Sequence, residues 1–491
     1  MSSLRGIETL ADGLGRPCLI PLVHTTHSCP NPAKFYFNLR RTSWSSYLLE
    51  SAEGPGEDAR YSVIGCDPLL HIKVRGSACE VNGRQDLVDL SREFMSKSRG
   101  NEDALEVFKK GMLVKKMKVS EPSSRYMLGV VGYLSYDLVR SFVDIGSDTL
   151  NDLNQPQLEF MLPERMVIFD HIAHKTRYCS LLLLLEDSDL QEAYEQAESG
   201  LKELVIKNEV NPQSWAGDKI SARSNVTKGK YEDHVNRIKR YIRAGDVIQA
   251  VLSRRIELTP SPPLERFFLN LRKLNPSPYM FFLDFPERSI VGSSPEILVK
   301  VNGRRVVTRP IAGTRPRGKS KADEKIMEME LRADEKERAE HIMLVDLGRN
   351  DLGRVAKFGS VRVTSFMDVE KYSHVQHLVT SIEGELQDGD DAFDALRATF
   401  PAGTVTGAPK VRAMEIIEEL EPTRRGIYAG AIGSFSYMGD ADLAIAIRTL
   451  IAEQGKGYVQ VGAGIVADSL PSREYSETMN KARALLCAAG V

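Results

Sequence analysis

The sequence predicts an α+β protein in which layers of strands are covered by helices. Two observations support this fold class. Short apolar segments of β character, such as residues 61–65 and 69–74, are separated by Gly- and Pro-bearing turns. Segments with helical spacing occur between groups of strands rather than after every strand, so a layered α+β arrangement is favoured over a strand–helix–strand repeat.

Length and charge limit the architecture and the partners. A chain of 491 residues is too long for one ordinary core and predicts two domains or one very large one. The polar residues 208–229 show little periodicity, and we interpret them as a linker between domains at 1–207 and 230–491. The 65 basic and 67 acidic residues nearly cancel, which gives no electrostatic case for a nucleic acid or membrane partner.

The cysteines and the N-terminus favour a cytoplasmic location. Six scattered cysteines without a CxxC pair fit reduced thiols better than a disulfide framework or a zinc site. Residues 1–13 lack the apolar core of a signal peptide. The strongest apolar run, Leu181 to Leu185, is too short to span a bilayer, and we expect it to be a buried strand.

In chain order, the elements follow from periodicity and turn residues. In the N-terminal half we expect strands at 47–51, 61–65, 69–74 and 127–134, and helices at 86–97 and 190–205. In the C-terminal half we expect strands at 249–256, 280–283, 289–291, 305–308, 429–437, 441–450 and 458–465, and helices at 231–244, 334–355, 415–420 and 473–488.

The helix at 334–355 carries the densest chemical signal. Its predicted apolar face consists of Ala339, Ile342, Met343, Val345 and Leu347. Glu337 and Glu340 lie three residues apart and therefore on one face. Two such acids can hold a hard cation, or act as one metal ligand and one proton donor. A solvated charged face is the simpler alternative.

Several small-residue corners accompany this helix. Residues 310–318 read as a strand entering a Gly-Thr corner, where Gly313 permits the close approach of a ligand and Thr314 offers a hydroxyl group. Residues 401–410 hold two glycines and two threonines before a lysine and a helix, without the spacing of a P-loop. Residues 462–465 (Gly-Ala-Gly-Ile) also place small residues at the end of a strand.

Cationic side chains complete the pattern. Arg448 is placed by the sequence inside an apolar strand, where a guanidinium requires an anion such as a carboxylate. Glu474 and Glu477 share one helix face, and Lys481 follows Glu477 by one turn. Together these segments suit a small dianionic substrate with a divalent cation.

A series of motifs in one order closely resembles the chorismate-utilising enzymes and, within them, the anthranilate synthase large subunits. The motifs are IKRYIRAGDVIQAVLSRR, NPSPYMFF, GSSPE, PIAGTRPRG, ERAEHIMLVDLGRNDLGRV, HLVT, FPAGTVTGAPK, YAGAIG, IAIRT, GAGIVADS and ETMNKA. The match is strong over residues 225–491 and reaches the N-terminal half through YLLESAEG and RYSVIG. It implies two large sheets flanked by helices, and the conversion of chorismate and ammonia into anthranilate and pyruvate.

The resemblance also implies roles, position by position. It implies Mg²⁺ ligands at Glu340 and Glu477. It implies catalytic roles for Glu337, His377 and Thr404. It implies chorismate contacts at Gly313, Thr314, Tyr428, Arg448, Gly462, Ala463, Gly464 and Lys481. For His377, a packed histidine after a strand is the alternative.

Two positions separate the relatives. Ala312 stands where aminodeoxychorismate synthases of one type have a nucleophilic lysine, so free ammonia must be the nucleophile here. Gln249 stands where isochorismate and salicylate synthases are expected to have a basic lysine. No GxCxG nucleophile elbow is present, so the resemblance implies a separate glutamine amidotransferase subunit as the ammonia source.

A regulatory site is also implied. Glu50 and Ser51, with Pro278, Tyr279 and Met280, match segments that hold tryptophan in feedback-inhibited members of the family. A polar pair and an apolar wall suit the two ends of an amino acid with an indole side chain. The alternative is that these residues are interface packing. A chorismate-binding subunit without catalysis is the competing class, and the intact acids, His377 and Arg448 argue against it.

Overall fold

The computed structural model describes residues 4–51, 60–76, 78–96, 102–114, 116–120, 128–207, 209–212, 217, 219–318, 320–371 and 375–491. The strands within these ranges are β1 (Cys18–Thr26), β2 (Ser46–Glu50), β3 (Tyr61–Arg75), β4 (Ala78–Gly83), β5 (Lys118–Val119), β6 (Gly129–Leu134), β7 (Leu158–Asp170), β8 (Lys175–Leu184), β9 (Ser221–Ser224), β10 (Gln249–Thr259), β11 (Tyr279–Asp284), β12 (Arg288–Ser294), β13 (Ile297–Asn302), β14 (Arg305–Thr308), β15 (Ile311–Pro316), β16 (Arg362–Lys371), β17 (Val375–Glu385), β18 (Gly407–Ala408), β19 (Ala431–Ser436), β20 (Ala441–Ile445), β21 (Thr449–Glu453) and β22 (Lys456–Ile465).

The α-helices are α1 (Leu4–Leu14), α2 (Pro32–Arg40), α3 (Gln85–Ser96), α4 (Ala104–Gly111), α5 (Leu190–Val205), α6 (Lys228–Ala244), α7 (Leu264–Leu274), α8 (Lys321–Ala333), α9 (Glu335–Gly353), α10 (Ala392–Thr399), α11 (Lys410–Leu420) and α12 (Pro471–Ala489). None of these helices is both long and apolar enough to cross a membrane.

Two large antiparallel sheets share the long strands β3 and β7. The first sheet runs β1–β8–β7–β3–β2–β11–β12–β21–β22–β10. The second starts from the other ends of the shared strands and runs β4–β3–β7–β6–β19–β20–β13–β14–β17. Both halves of the chain contribute strands to both sheets. The predicted α+β fold with two sheets and flanking helices is therefore confirmed.

A bulge explains how β3 serves both sheets. The sequence predicts two strands, at 61–65 and 69–74, separated by a turn. The structure has one strand, in which Asp67 adopts a positive φ of 52° and the register with β7 shifts between Pro68 and Leu70. A bulge bends a strand without ending its hydrogen-bonded ladder, so one strand passes from the first sheet into the second.

The main core lies between the sheets. It contains Val63 and Phe281 from the first sheet and Phe160 and Leu443 from the second. A second core covers the outer face of the first sheet beneath α2, α5, α7 and α12, and a smaller one lies beneath α6 and α11. Each fully buried side chain of this size contributes roughly 1.5–3 kcal/mol to the free energy of folding.

Parts of the predicted linker are ordered elements of the fold. Ser221–Ser224 forms β9 and pairs with β10, and α6 begins at Lys228 rather than at Tyr231. The short polar strand escapes a periodicity search because its side chains are mostly exposed. The division into two domains remains a prediction.

The predicted apolar face of α9 is only partly correct, because Val345 is buried and Met343 and Leu347 are half-buried. Ala339 and Ile342 are exposed, whereas His341, Leu344 and Leu352 are buried against the sheet. Apolar residues occur around most of this helix, so their spacing alone does not select one face. The buried side is fixed by His341, whose Nε2 lies 2.6 Å from Thr380 Oγ1 of β17.

Candidate active site

The N-terminal turn of α9 holds Glu337 beside β15. The Asp334 side chain caps the helix by accepting a hydrogen bond from the backbone N–H of Glu337, at 3.1 Å. Arg315 of β15 donates to Asp334 at 2.7 Å and to Glu337 at 3.4 Å. The capped turn and the arginine therefore fix the carboxylate of Glu337 at the edge of the second sheet.

The predicted Gly-Thr corner lies directly against this carboxylate. Gly313 has a φ of +67°, and a Cβ at this position would come within 3.2 Å of Glu337 Oε2 and 2.9 Å of Leu331 Cδ1. Only glycine avoids both the strain and the contacts. Thr314 lies opposite His377 in the ladder between β15 and β17, and its side chain is outside the described part of the structure.

His377 is oriented by the same corner. Its Nδ1 lies 3.0 Å from the carbonyl oxygen of Gly313. Burial lowers the pKa of His377, the Gly313 carbonyl partly offsets this, and the nearby positive charge of Arg448 lowers it further. A neutral ring that donates from Nδ1 leaves Nε2 as the nitrogen that can accept a proton. The structure thus brings together Gly313, Glu337 and His377.

Four carboxylates from α9 and α12 meet across the site. Burial raises the pKa of Glu340, Lys336 opposes the rise, and the negative charges of Glu337, Glu477 and Glu474 add to it. Burial also raises the pKa of Glu474, and the charge of Glu477 contributes. These acids are close enough to repel one another although they lie on two helices far apart in sequence.

This acid cluster fits the chemistry of a magnesium site. Carboxylate oxygens are the ligands that Mg²⁺ prefers, and a cation would offset the mutual repulsion. Within the described residues, no three acidic, histidine or cysteine side chains are already arranged around one ion position. Mg²⁺ usually retains several waters and binds through only one or two carboxylates, so a two-ligand site at Glu340 and Glu477 remains consistent with this arrangement.

Arg448 is in the connection between β20 and β21, not inside a strand as the sequence predicts. Its φ of 51° interrupts the apolar run, because a left-handed residue cannot continue an extended strand. Burial lowers the pKa of its guanidinium, and Tyr428 partly offsets this effect. Within the described residues no carboxylate pairs with Arg448, so its side chain is suited to a ligand carboxylate.

The small residues of β22 form the floor beside Tyr428. Gly462, Ala463 and Gly464 pair with β10, and a Cβ on Gly462 would come within 2.8 Å of Tyr428 Oη. Lys481 of α12 donates to the carbonyl oxygen of Gly462 at 3.0 Å. Burial raises the pKa of Tyr428 to about 12, so its hydroxyl remains a hydrogen-bond donor at neutral pH.

Glu296 is a residue that the sequence reasoning missed. It follows β12, is buried, and has its pKa raised by burial to about 8, with smaller opposing effects from Thr404, the backbone of Ile311 and Lys481. A buried carboxyl that stays protonated near neutral pH is typical of proton-transfer sites. The signal was an acid directly after the Ser-Ser-Pro sequence that ends a buried strand.

Thr404 lies beside Glu296 in a short 3₁₀ turn, Gly403–Val405. Its Oγ1 is buried and completes no hydrogen bond of ordinary geometry within the described residues. The structure therefore surrounds one site with an acid cluster, a guanidinium, a lysine, an oriented histidine and a buried proton donor. Such a site can bind an anionic ring compound and transfer protons to and from it.

Residues 45–487 match the family described as chorismate binding enzyme. The chain belongs to this family. It is therefore a chorismate-binding enzyme. One relative is anthranilate synthase component 1 of Aquifex aeolicus, which is 43% identical over 465 residues. The match covers 93% of this chain and 92% of the relative. The corresponding protein of Thermus thermophilus is 42% identical over 466 residues and matches 93% of this chain and 95% of its own length.

Two solved structures show the same fold. Anthranilate synthase component I from Streptococcus pneumoniae superposes with a TM-score of 0.73 at 36% identity, covering 88% of this chain and 93% of that one. The menaquinone-specific isochorismate synthase MenF of Escherichia coli superposes with a TM-score of 0.70 at 19% identity over 98% of both chains. At that identity the second likeness concerns the fold alone.

The five residues with the implied inhibitor role line one cavity of about 290 Å³ in this chorismate-binding enzyme. The cavity is close to the lower end of the roughly 300–1,000 Å³ of ordinary ligand sites. The Glu50 carboxylate itself pairs with Arg272 of α7, with Nη2–Oε1 at 2.9 Å, and Met280 belongs to the core on that same side of the sheet. Side chains of a strand point alternately to its two faces. Glu50 and Met280 therefore face the cavity with their backbones rather than with their side chains.

Proposed function

We propose that this chain is the chorismate-converting subunit of a cytoplasmic anthranilate synthase in tryptophan biosynthesis. Chorismate and ammonia would give anthranilate, pyruvate and water. Relatives named anthranilate synthase component 1 match 90–96% of the chain at 42–43% identity. The observation that carries the choice among reactions is the pair Ala312 and Gln249, since neither side chain can act as a lysine nucleophile or base at these positions.

The residues of the site divide the binding task. Arg448 and Lys481 supply positive charge for the carboxylates of chorismate, and Tyr428 offers a neutral hydroxyl. The glycines at 313, 462 and 464 let the ring approach the backbone closely. Mg²⁺ held by Glu340 and Glu477 would supply the charge that offsets repulsion between substrate carboxylates and protein acids.

Proton transfer is assigned to four residues of the site. Glu337 donates a proton so that the ring hydroxyl leaves as water. Glu296 lies beside Thr404 and carries a proton at neutral pH, so it relays the proton that the incoming amine loses by releasing its own proton as it takes that one. His377, neutral and oriented by Gly313, serves the elimination of pyruvate as a proton acceptor.

Ammonia supply and regulation extend the proposal. The chain is proposed to receive ammonia from a glutamine amidotransferase partner subunit, and to use ammonium salts when alone. Tryptophan is proposed to inhibit by binding in the cavity next to Ser51, Pro278 and Tyr279. The cavity is lined by Ile311 of β15, two residues before Gly313, which gives inhibitor binding a short path to the site.

The test is a reaction of purified protein with chorismate, Mg²⁺ and ammonium chloride. Anthranilate fluorescence together with pyruvate supports the proposal. Aminodeoxychorismate without pyruvate would indicate the alternative amination, isochorismate would indicate addition of water, and no product would indicate a binding subunit.

A further inference from the structure

Arg425 is a buried arginine next to the candidate active site. It lies three residues before Tyr428, in the connection that follows α11. Its guanidinium donates to both oxygens of the Glu421 carboxylate, from Nε at 3.0 Å and from Nη2 at 2.7 Å. The two side chains are only 1% and 3% exposed. Because a bidentate pair has one favoured geometry, the position of the guanidinium is fixed.

Other N–H groups of Arg425 bind the backbone of two segments of the site. Nη1 donates to the carbonyl oxygen of Val405 at 2.7 Å, and Nη2 donates to that of Val251 at 2.7 Å. Val405 ends the 3₁₀ turn that contains Thr404. Val251 belongs to β10 and lies opposite Gly464 of β22. One side chain therefore sets the distance between this turn and the small-residue floor of the site.

The ring of Tyr428 lies against the same guanidinium. Arg425 Cζ is 5.6 Å from the centroid of this ring and 4.9 Å from the centroid of the Tyr136 ring. A cation within about 6 Å of a ring centroid is attracted to the face of the ring. The hydroxyl of Tyr428 lies at the floor, since a Cβ on Gly462 would come within 2.8 Å of it. The guanidinium therefore supports the ring that carries this hydroxyl group.

Glu421 connects the floor to the guanidinium. Its Oε1 accepts a hydrogen bond from the backbone N–H of Ser253 at 2.7 Å, in addition to the one from Arg425. Ser253 lies opposite Gly462 in the ladder between β10 and β22. Removal of either charge would leave the other buried and unpaired, which strongly destabilises a protein. Informative variants therefore keep the charge or the shape of the residue they replace.

We propose that Arg425 and Glu421 are positioning residues for the conversion of chorismate. They hold Tyr428 and the turn of Thr404 in a fixed relation to the floor, and they act through these neighbours rather than on the substrate. The inference rests on the proposed function for the roles of Tyr428 and Thr404. A displacement of about 1 Å in a reacting arrangement can cost about a hundredfold in rate, so a small change at Arg425 should lower turnover.

The first test compares Arg425→Lys with Arg288→Lys. Arg288 is also buried and hydrogen-bonded to buried carboxylates, but it begins β12 and is in none of the positions assigned to the site. Lysine keeps the charge but cannot reproduce the hydrogen bonds of the planar guanidinium. We expect Arg425→Lys to lower kcat/KM for chorismate consumption by at least about tenfold per folded molecule, and Arg288→Lys by no more than about twofold. Near-UV circular dichroism gives the folded fraction. Equal losses, or no loss in Arg425→Lys, would overturn the proposal.

A double-mutant cycle separates positioning from a purely structural role. If Arg425 acts through Tyr428, the two substitutions remove parts of one effect. Arg425→Lys combined with Tyr428→Phe should therefore lose no more than about threefold in kcat/KM beyond the larger single loss. Arg288→Lys combined with Tyr428→Phe should show the product of the two single losses. Multiplication of the losses in the Arg425 pair would overturn the proposal.

A second variant keeps the test decisive if Arg425→Lys does not fold. Glu421→Gln keeps the shape of the side chain and one acceptor oxygen, but it breaks the bidentate pair. We expect it to lower kcat/KM for chorismate consumption by at least about threefold. An unchanged kcat/KM in the folded Glu421→Gln variant would overturn the proposal.

The readout separates this proposal from the proposed function. Consumption of chorismate is followed directly, so a product other than anthranilate would refute the proposed function while the comparison of variants stands. If the unmodified protein consumes no chorismate, the proposed function fails, and the same ratios are expected in the dissociation constants of chorismate measured by calorimetry. Equal dissociation constants for the unmodified protein and Arg425→Lys would then overturn the positioning role.

Discussion

Lys481 Nζ and Glu477 Oε1 form an ion pair of 2.8 Å on successive turns of α12. The two residues are assigned to different ligands, Lys481 to a substrate carboxylate and Glu477 to magnesium. Without these ligands, the charges of Lys481 and Glu477 therefore neutralise each other. This ion pair predicts that chorismate and Mg²⁺ each increase the affinity for the other. Chorismate binding to Lys481 frees the negative charge of Glu477 for Mg²⁺, and Mg²⁺ binding to Glu477 frees the positive charge of Lys481 for chorismate.

Removing one Mg²⁺ ligand should weaken this mutual increase in affinity. We expect Glu340→Gln and Glu477→Gln each to shift the Mg²⁺ titration of activity to higher concentration and to reduce the rise in melting temperature that Mg²⁺ gives with chorismate. Glu335→Gln, at an exposed acid on the same α9 helix, should change neither. An unchanged titration in both site variants would refute the metal assignment.

Arg448→Lys tests the carboxylate anchor. Lysine keeps the charge but loses the planar fork, and a charge-assisted hydrogen bond contributes roughly 1.5–3 kcal/mol. The kcat/KM for chorismate should therefore fall by at least about tenfold. Steady-state kinetics with saturating Mg²⁺ and ammonium measure this change. An unaltered kcat/KM would mean that another cationic residue binds the carboxylate of chorismate.

The sequence was sufficient for the fold class and for the family, because hydrophobic patterns and short motifs mark them directly. It failed where the decisive property arises from tertiary contacts. Arg448 interrupts an apolar run through its left-handed backbone, which its spacing does not reveal. The buried face of α9 follows the contact of His341 with Thr380, and the raised pKa of Glu296 follows its burial among segments distant in sequence.

Glu296 gives a prediction for the pH dependence of stability. Burial raises its pKa from 4.5 to about 8, so between these values the folded chain retains a proton that the unfolded chain releases. The contribution of this group to stability is therefore lost as pH rises through that window. Glu296→Gln removes this dependence, and the variant should gain up to about 2 kcal/mol relative to the original protein between about pH 6 and 7.5.

Urea unfolding of both proteins at these two pH values measures the difference. A constant difference in the free energy of unfolding would mean that Glu296 does not retain its proton in the folded state. The comparison is informative because glutamine has nearly the same shape as glutamate, so the packing of the site changes little.

Ser51→Phe tests the regulatory cavity. Ser51 lines the 290 Å³ cavity, and a phenyl ring there would occupy the space proposed for tryptophan. We expect tryptophan inhibition to be lost while turnover without tryptophan remains within about twofold. Titration of both proteins with tryptophan decides this. Inhibition of the variant equal to that of the original protein would place the inhibitor elsewhere.

The central claim is that this chain alone converts chorismate and ammonia into anthranilate and pyruvate. The most direct measurement is the yield of both products from purified protein supplied with chorismate, Mg²⁺ and ammonium chloride, followed by fluorescence and by lactate dehydrogenase coupling. We predict equal amounts of anthranilate and pyruvate, with neither formed when ammonium is omitted. Formation of isochorismate or aminodeoxychorismate, or consumption of no chorismate at all, would contradict the account.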